Sequence, residues 1–161
     1  MNKKKIVYID MDGVLVDLQS DIDDWLKTHS DEDVAKYKDN HDLIPGIFRN
    51  PKPIWGAISA VKKLHESGKY ELIVATTAPW DCPESNTDKR YWIEKYFGDL
   101  FKKQMIITHR KDLLYGDYLI DDRLANGSEH FKGELLHFGY NHETKQYNSF
   151  PDWYSVLEKL L

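Results

Sequence analysis

Short apolar runs alternate along the chain with longer amphipathic segments. Runs that lack a polar face are typical of strands buried on both sides of a parallel sheet, and the chain has five, at residues 5–10, 71–77, 103–108, 118–122 and 134–138. Apolar residues at helical spacing predict three helices, at residues 54–67, 86–97 and 150–161. In the second of these, the expected packing positions are Tyr91, Ile93, Tyr96 and Phe97. We therefore expect an α/β fold with a doubly wound, Rossmann-like parallel sheet.

Residues 18–52 interrupt this alternation between the first strand and the first of these helices. Their few apolar residues at helical spacing predict a short second helix near residues 34–37 and, before it, a helix that contains Leu18, Ile22, Trp25 and Leu26. Three prolines and a glycine in residues 43–53 predict a loop back to the main body. We expect one domain over residues 1–161, with its core at residues 1–17 and 53–161 and a small helical cap at residues 18–52.

Composition and charge argue against several classes of protein. A chain of 161 residues with 41% hydrophobic and 30% charged residues is typical of one globular domain. The net charge of −5 argues against a nucleic-acid polymer as partner, and no apolar run reaches the ~20 residues that a membrane span needs. The seven histidines lack zinc-site spacing, and the single cysteine, Cys82, excludes an internal disulfide and fits a cytoplasmic protein.

Candidate reactive side chains follow four of the five predicted strands. Ligands of open parallel sheets bind beyond the carboxyl ends of the strands, and the residues found there are Asp10 and Asp12, Thr76 and Thr77, Lys111, and Asp121 and Asp122. Each group alone has an ordinary explanation, as a turn, a strand end, a solvated lysine or a helix cap. Their coincidence at one edge of the sheet favours a shared site.

This set of side chains matches the needs of phosphoryl transfer. Clustered carboxylates repel one another without a cation, and an all-oxygen ligand set suits Mg²⁺. Strand alternation places Asp10 and Asp12 on one face, where one can attack phosphorus and the other can transfer protons. Lys111 and Mg²⁺ would neutralise the phosphoryl group, and Thr77 would donate a hydrogen bond to it.

The same residues resemble known motifs. The segment DMDGVLVDL at residues 10–18 resembles the first motif of the haloacid dehalogenase superfamily, and Thr77, Lys111 and the LIDDR segment at residues 119–123 resemble its second, third and fourth motifs. More narrowly, the chain resembles the 5'(3')-deoxyribonucleotidase family in the segments DMDGVLVDL, TTAPW, KRYWIEKYFG, ITHRKDLLYGDYLIDDR and FKGELLHF. The resemblance implies a haloacid dehalogenase fold and a Mg²⁺-dependent phosphomonoesterase that forms an aspartyl-phosphate.

The resemblance also implies a role for each motif residue. Asp10 matches the nucleophile and a Mg²⁺ ligand, and Asp12 matches the general acid/base, whose backbone carbonyl also binds the metal. The pair Asp121 and Asp122 would complete the metal site, and which of the two binds Mg²⁺ directly stays open. The residues implied to hold phosphate are Thr77, the Ala78 amide, Lys111 and Lys89, with Thr76 in place of Thr77 if the register shifts by one.

Among the features that the resemblance implies, recognition of a base has the weakest match in this sequence. The cap of such enzymes selects the substrate, and Leu18 stands where the family usually has a phenylalanine that packs on the base. The remaining aromatic candidates for stacking on a base are Phe48, Trp80 and Trp25. Packing within the core or the cap explains these three rings equally well.

The sequence supports one main hypothesis and two alternatives. The main one is a phosphomonoesterase acting on deoxyribonucleoside monophosphates, with no membrane or nucleic-acid partner. The first alternative keeps the phosphatase and changes the substrate to a sugar phosphate or another small metabolite. The second is a phospho-accepting receiver domain, but receivers place the acidic pair first and the lysine last, whereas Asp121 and Asp122 follow Lys111 here. A homodimer is left open by the sequence.

Overall fold

The computed structural model describes residues 3–161, which form a central sheet, two small two-stranded sheets and five α-helices. Residues 1 and 2 of the expected core segment 1–17 lie outside the described residues. In chain order the elements are β1 (Lys5–Ile9), β2 (Val16–Asp17), α1 (Leu18–Thr28), α2 (Asp31–Tyr37), β3 (Lys52–Pro53), α3 (Ala57–Glu66), β4 (Tyr70–Thr76), α4 (Glu84–Phe97), β5 (Met105–Ile107), β6 (Tyr118–Asp121), β7 (Glu134–His137), β8 (Tyr140–Asn141), β9 (Gln146–Tyr147) and α5 (Trp153–Leu160).

The five strands of the central sheet are parallel and follow the order β5-β4-β1-β6-β7. From β1 the chain moves outward through β4 to β5, then returns across the sheet to β6 and moves outward again to β7. The predicted α/β fold with a doubly wound parallel sheet is thereby confirmed. The winding reverses between β1 and β6, and ligands of such sheets bind beyond the strand ends at the point of reversal.

The two faces of the sheet are covered differently. On one face, α3, α4 and α5 bury apolar side chains against the strands. Shorter turns cover the other face, where Leu114 and Phe131 pack with Tyr8. Val7 and Ile9 of β1 join the helical side. Because both faces of β1 are covered, the strand is apolar without alternation, as the sequence pattern predicts.

Helix α4 packs through a residue that the sequence pattern misses. Tyr91 is exposed, so its predicted packing role is wrong, whereas Ile93 and Phe97 are buried as expected. Trp92 is buried instead, and its Nε1 donates to the Pro51 carbonyl at 2.8 Å. Neighbouring helical residues point about 100° apart, so a single-residue error in the assigned face exchanges a buried ring for an exposed one.

Two short pairings were not predicted. Strands β2 and β3 pair across the whole of residues 18–51, and β8 and β9 form a hairpin that follows β7. Each of these strands has two residues, which is too short to show an alternating pattern. The hairpin adds aromatic side chains to the same edge of the sheet that carries the predicted acids.

The segment between β2 and β3 has its own small core. Asp17 caps α1 by accepting a hydrogen bond from the Ser20 amide at 3.3 Å, and α2 has no buried residue. The buried apolar cluster associated with this segment consists of Ile22, Ile44, Ile47, Phe48 and Cys82.

In the described residues 3–161, no helix has both the length and the apolar character that crossing a membrane would require.

Candidate active site

Three charged side chains meet where the winding of the sheet reverses. Asp10 directly follows β1, Asp121 ends β6, and Lys111 lies between them. The Lys111 ammonium donates to Asp10 Oδ1 at 3.0 Å and to Asp121 Oδ2 at 2.6 Å, and only 2% of its side chain is exposed. These ion pairs are therefore held where bulk water is largely excluded.

Lys111 reaches the centre of the sheet from an edge strand. After β5 the chain crosses the end of β4, where the Thr108 amide donates to the Thr76 carbonyl at 2.9 Å. The Lys111 amide then donates to the Asn126 carbonyl at 2.8 Å, at the start of a short 3-10 turn. These backbone hydrogen bonds bring the lysine to the boundary between β1 and β6.

Asp122 adds a carboxylate that lacks a complete set of partners. Within residues 3–161, its Oδ1 is the one buried side-chain nitrogen or oxygen atom without a hydrogen-bond partner. One carboxylate oxygen from each of Asp10, Asp121 and Asp122 lies within 4.8 Å of the other two. Gly13, at φ +80°, leaves room for this group, because a Cβ atom there would overlap Asp122 Oδ2. This set of oxygens, one of them unpartnered, fits a hard divalent cation such as Mg²⁺.

Burial and mutual repulsion shift the pKa values of this cluster. Burial, reinforced by Asp121, raises the pKa of Asp10, although Lys111 opposes the shift. Burial together with Asp10 and Asp121 raises the pKa of Asp122 well above its ordinary value. Burial alone would lower the pKa of Lys111, but Asp10 and Asp121 outweigh it and raise that pKa. Three acids against one ammonium leave an excess of negative charge that a cation would relieve.

Asp12 belongs to a second ion pair. Lys89, buried on α4, donates through Nζ to Asp12 Oδ2 at 2.6 Å and to Thr76 Oγ1 at 3.2 Å. The same ammonium lies 5.0 Å from the centroid of the Phe48 ring. Lys89, expected from the sequence to lie at the phosphate, therefore lies against the carboxylate of Asp12.

Thr77 and Ala78 follow β4 beside the cluster. Thr77 lines a cavity of about 20 Å³ together with Asp10 and Lys111, a space on the scale of one water molecule. Its hydroxyl donates to the Thr108 carbonyl at 2.8 Å, which fixes the rotamer of Thr77. Ala78 follows it and is buried, so of the two residues of the predicted phosphate loop Thr77 is the one that lines the cavity at the acidic cluster.

A larger cleft of about 790 Å³ opens from this cluster to the surface. Asp12 and Asp122 line it on the side of the sheet, and Leu18 and Phe48 line it on the side of residues 18–52. Leu18 is half-buried, and Phe48 is only 4% exposed. Both residues predicted to contact a base from this segment therefore lie at the cleft, but Phe48 offers little free surface.

The two tryptophans considered for base stacking lie elsewhere. Trp80 is 84% exposed and packs its edge against His109 at 6.1 Å between ring centroids. In the described part of the chain, the side chains that line the cleft do not include Trp80. Trp25 stacks on His29 at 4.0 Å within residues 18–52, so its ring is already occupied.

Sequence reasoning missed further residues of the cleft. Arg123 lines both cavities, and its amide donates to Asp121 Oδ1 at 3.0 Å. Asp42 lines the cleft from residues 18–52, where burial and the nearby Asp12 raise its pKa. Arg123 directly follows the acidic pair, a position that could have identified it. Asp42 lies in a polar segment without periodicity, and no local signal distinguishes it.

Comparison with known proteins identifies the relatives of this chain. The sequence profile of the family described as "5' nucleotidase, deoxy (Pyrimidine), cytosolic type C protein" matches residues 19–160. A protein of Vibrio phage KVP40, provisionally named 5'(3')-deoxyribonucleotidase, is 45% identical over 98% of this chain and 85% of its own length. The 5'(3')-deoxyribonucleotidase of Bacillus subtilis is 30% identical over 98% of this chain and 99% of its own length.

Solved structures share the fold at low sequence identity. The provisionally assigned haloacid dehalogenase hydrolase YfnB from Bacillus subtilis, in a structure bound to magnesium, has a TM-score of 0.58 with 10% identity and covers 99% of both chains. A hydrolase from Pseudomonas syringae has a TM-score of 0.55 with 14% identity and covers 98% of both chains. The haloacid dehalogenase fold expected from the motifs is therefore confirmed.

Proposed function

Since the chain belongs to the cytosolic type C family of 5'-deoxynucleotidases, and is thus a hydrolase of phosphate monoesters, we propose that it uses Mg²⁺ to dephosphorylate deoxyribonucleoside monophosphates. The observation that carries the proposal is the buried Lys111 between Asp10 and Asp121, beside the unpartnered oxygen of Asp122. A divalent cation would offset the excess negative charge of this cluster and so allow an anionic phosphoryl group to bind there.

The proposed metal ligands are the carboxylates of Asp10 and Asp122 and the backbone carbonyl of Asp12. Both oxygens of Asp121 already accept hydrogen bonds, from Lys111 and from the Arg123 amide, whereas Asp122 Oδ1 accepts none. This difference favours Asp122 as the direct ligand and Asp121 as the residue that orients Lys111. Bound Mg²⁺ would supply charge neutralisation at the phosphoryl oxygens. YfnB, which shares the fold and is described as bound to magnesium, supports Mg²⁺ as the cation.

In the proposed first half-reaction, an Asp10 oxygen attacks phosphorus and the bond to the nucleoside oxygen breaks. Asp12 delivers a proton to the departing oxygen, which leaves as the nucleoside hydroxyl, and Asp10 becomes an aspartyl-phosphate. In the second, Asp12 takes a proton from water, whose oxygen attacks phosphorus and releases inorganic phosphate and the free Asp10 carboxylate. Lys111 binds the phosphoryl oxygens throughout, and Thr77 joins it once its hydroxyl turns from the Thr108 carbonyl to donate to them.

We further propose that residues 18–52 act as a cap on a single domain whose core comprises the remaining residues. Leu18, Phe48 and Asp42 face the cleft from this segment, and the ammonium of Lys89 lies between Phe48 and Asp12. The cap would thereby exclude water from Asp12 once substrate is bound.

A cytoplasmic location is part of the same proposal, in agreement with the single buried cysteine.

The test is phosphate release with Mg²⁺ from a panel of 5'- and 3'-deoxyribonucleotides, ribonucleotides and sugar phosphates. We expect turnover that is highest on deoxyribonucleoside monophosphates, is lost on chelation of the metal and is abolished by Asp10→Asn. Release that is fastest from sugar phosphates would favour the alternative substrate class. No release from any monoester, or release unaffected by Asp10→Asn, would contradict the proposal. A stable phosphoprotein without turnover would instead support a receiver-like role.

A further inference from the structure

Three exposed aromatic side chains from outside residues 18–52 line the cleft. Trp55 is 87% exposed, Tyr147 is 70% exposed and Tyr140 is 41% exposed, and all three line the cleft that Asp12 and Asp122 also line. We call these three residues the aromatic rim. The exposed surface of these three rings is not part of the core. The rim therefore offers free ring surface in the cleft that opens from the acidic cluster.

The hairpin that carries two of these rings is fixed to the acidic cluster. The Phe138 amide donates to the Asp121 carbonyl at 2.8 Å, directly before the hairpin begins. A Cβ atom at Gly139 would lie 3.5 Å from the Gly13 carbonyl, so the hairpin touches the turn that follows Asp12. Strand pairing aligns Tyr140 with Tyr147, and their ring centroids are 5.1 Å apart.

Trp55 combines a fixed backbone with a free side chain. The preceding Ile54 amide donates to the Leu15 carbonyl at 2.8 Å. The following Gly56 is the N-cap of α3, and a Cβ atom there would lie 3.7 Å from the Cβ of Trp153, whose Nε1 donates to the Val14 carbonyl at 2.9 Å. The backbone thus fixes where the Trp55 side chain leaves the chain at the cleft, and its ring faces remain accessible.

Residues 18–52 do not offer an equivalent ring surface at the cleft. Leu18 is aliphatic, and Phe48 is 4% exposed with the Lys89 ammonium 5.0 Å from its centroid. Trp25 is stacked on His29. Among the Trp, Tyr and Phe rings that line the cleft, the exposed ones are therefore those of the rim.

We propose that the base of the nucleotide stacks on Trp55, with Tyr140 and Tyr147 forming the adjoining wall, while its phosphate binds at Asp10 and Lys111. This inference rests on the proposed function and adds to it the site that distinguishes a nucleotide from a sugar phosphate. Every base has a π-face on which an aromatic side chain can stack. The rim therefore selects for the presence of a base and discriminates weakly among bases.

The experiment compares one nucleotide with 2-deoxyribose 5-phosphate, which has the same sugar and phosphate but lacks the base. Trp55→Leu should lower kcat/KM for deoxythymidine 5'-monophosphate by about 10–100-fold, the range of a lost base–aromatic stack, chiefly through KM. Its kcat/KM for 2-deoxyribose 5-phosphate should stay unchanged. Trp55→Phe, which keeps a ring, should restore most of the loss. Tyr115→Leu, at a similarly exposed ring elsewhere (84%), should behave as the parent on both substrates.

Binding gives a readout that does not require turnover. In an Asp10→Asn background, deoxythymidine 5'-monophosphate should quench the fluorescence of the exposed Trp55, and the added Trp55→Leu change should remove most of that quenching. Equal nucleotide kcat/KM in parent and Trp55→Leu would overturn the inference. So would an equal loss on 2-deoxyribose 5-phosphate, or a loss of nucleotide activity and quenching that follows Trp80→Leu instead. If the parent hydrolyses no monoester, the proposed function fails, and the quenching still tests the rim.

Discussion

The floor of the cleft and its rim are built in opposite ways. By the floor we mean the cluster of Asp10, Lys111, Asp121 and Asp122 from which the cleft opens. It consists of buried charges, in which Lys111 is held by Asp10 and Asp121 from two neighbouring strands. The rim consists of exposed rings, of which Trp55 has most of its surface in solvent. Charged groups act strongly on a developing charge only where water is excluded and their positions are fixed. Rings that bind a ligand by stacking must instead stay uncovered in the free protein.

We propose that the chemistry and the choice of substrate belong to these two different parts of the molecule. Changes on the floor should therefore alter turnover on every substrate and also alter stability, because they disturb a buried charge balance. Changes on the rim should alter only the substrates that reach it. Lys89 instead connects Asp12 to residues 18–52, since it contacts both Asp12 and Phe48.

The largest effect is expected for Lys111→Met. This change leaves the buried carboxylates of Asp10 and Asp121 without a cation, and removal of one partner from a buried ion pair costs about 3–5 kcal/mol. We expect the free energy of unfolding in urea to fall by that amount without metal, and phosphate release to fall at least ~100-fold. Lys102→Met, at an exposed lysine, serves as the control. Unchanged unfolding in the Lys111 variant would show that the floor is not a balanced charge cluster.

A second large effect concerns Asp122 and the metal. Saturation with Mg²⁺ at about 100 times its Kd should stabilise the parent by about 2.7 kcal/mol, because the cation satisfies the Asp122 oxygen that otherwise lacks a partner. Asp122→Asn should remove most of that stabilisation, as measured by the metal-dependent shift of Tm. A variant that keeps the full shift would exclude Asp122 as a ligand.

Without metal, the buried carboxylate of Asp122 predicts a pH dependence of the free energy of unfolding. The pKa of Asp122 is raised in the fold, first by burial and then by Asp10 and Asp121, so its ionised form destabilises the native state. That penalty is fully present above the raised pKa and disappears as the pH falls below the ordinary carboxyl value of about 3.9. Without metal, Asp122→Asn should therefore be more stable than the parent at neutral pH, and the difference should shrink as the pH is lowered. A pH-independent difference would contradict this origin.

Lys89→Met should have an effect of intermediate size, and this effect should be on kcat. Loss of the 2.6 Å ion pair frees the Asp12 carboxylate from its fixed orientation, and we expect kcat to drop about 10–100-fold, part of the contribution of a general acid/base. KM for a nucleotide should change far less. Arg90→Met, the next residue on α4 and exposed in a pair with Glu94, is the matched control. A change in KM alone would assign Lys89 to phosphate binding instead.

The smallest effect on turnover is expected at the contact between α4 and residues 18–52. Arg49 pairs with Asp88 at 3.2 Å, and 68% of the Arg49 side chain is exposed, whereas only 6% of the Asp88 side chain is. Because Arg49→Ala leaves the buried Asp88 carboxylate without its ion-pair partner, the free energy of unfolding should fall by about 1–3 kcal/mol, while kcat should stay within about twofold. A tenfold loss of kcat would show that this segment belongs functionally to the floor.

Much of the fold was readable from local pattern. The continuous apolar runs predicted all five strands of the central sheet, and the motifs identified the superfamily and the family that comparison confirms. The hydrophobic pattern failed where strands were too short to show it and where the buried face of a helix was assigned one residue away from its true position. It missed the two-residue strands of the β8–β9 hairpin and exchanged Tyr91 for Trp92 as the buried ring of α4.

The amino-acid sequence by itself determined the parallel sheet and which charged and hydroxyl side chains follow its strands, because strand periodicity and strand ends are encoded locally. Only the tertiary structure decided the partners of those residues. Lys111 and Asp10 are 101 positions apart, and Lys89 and Asp12 are 77 apart, so the order of the strands sets which lysine meets which acid. The position of Trp55 at the cleft likewise depends on how residues distant in the chain pack, and local sequence carries no record of that packing.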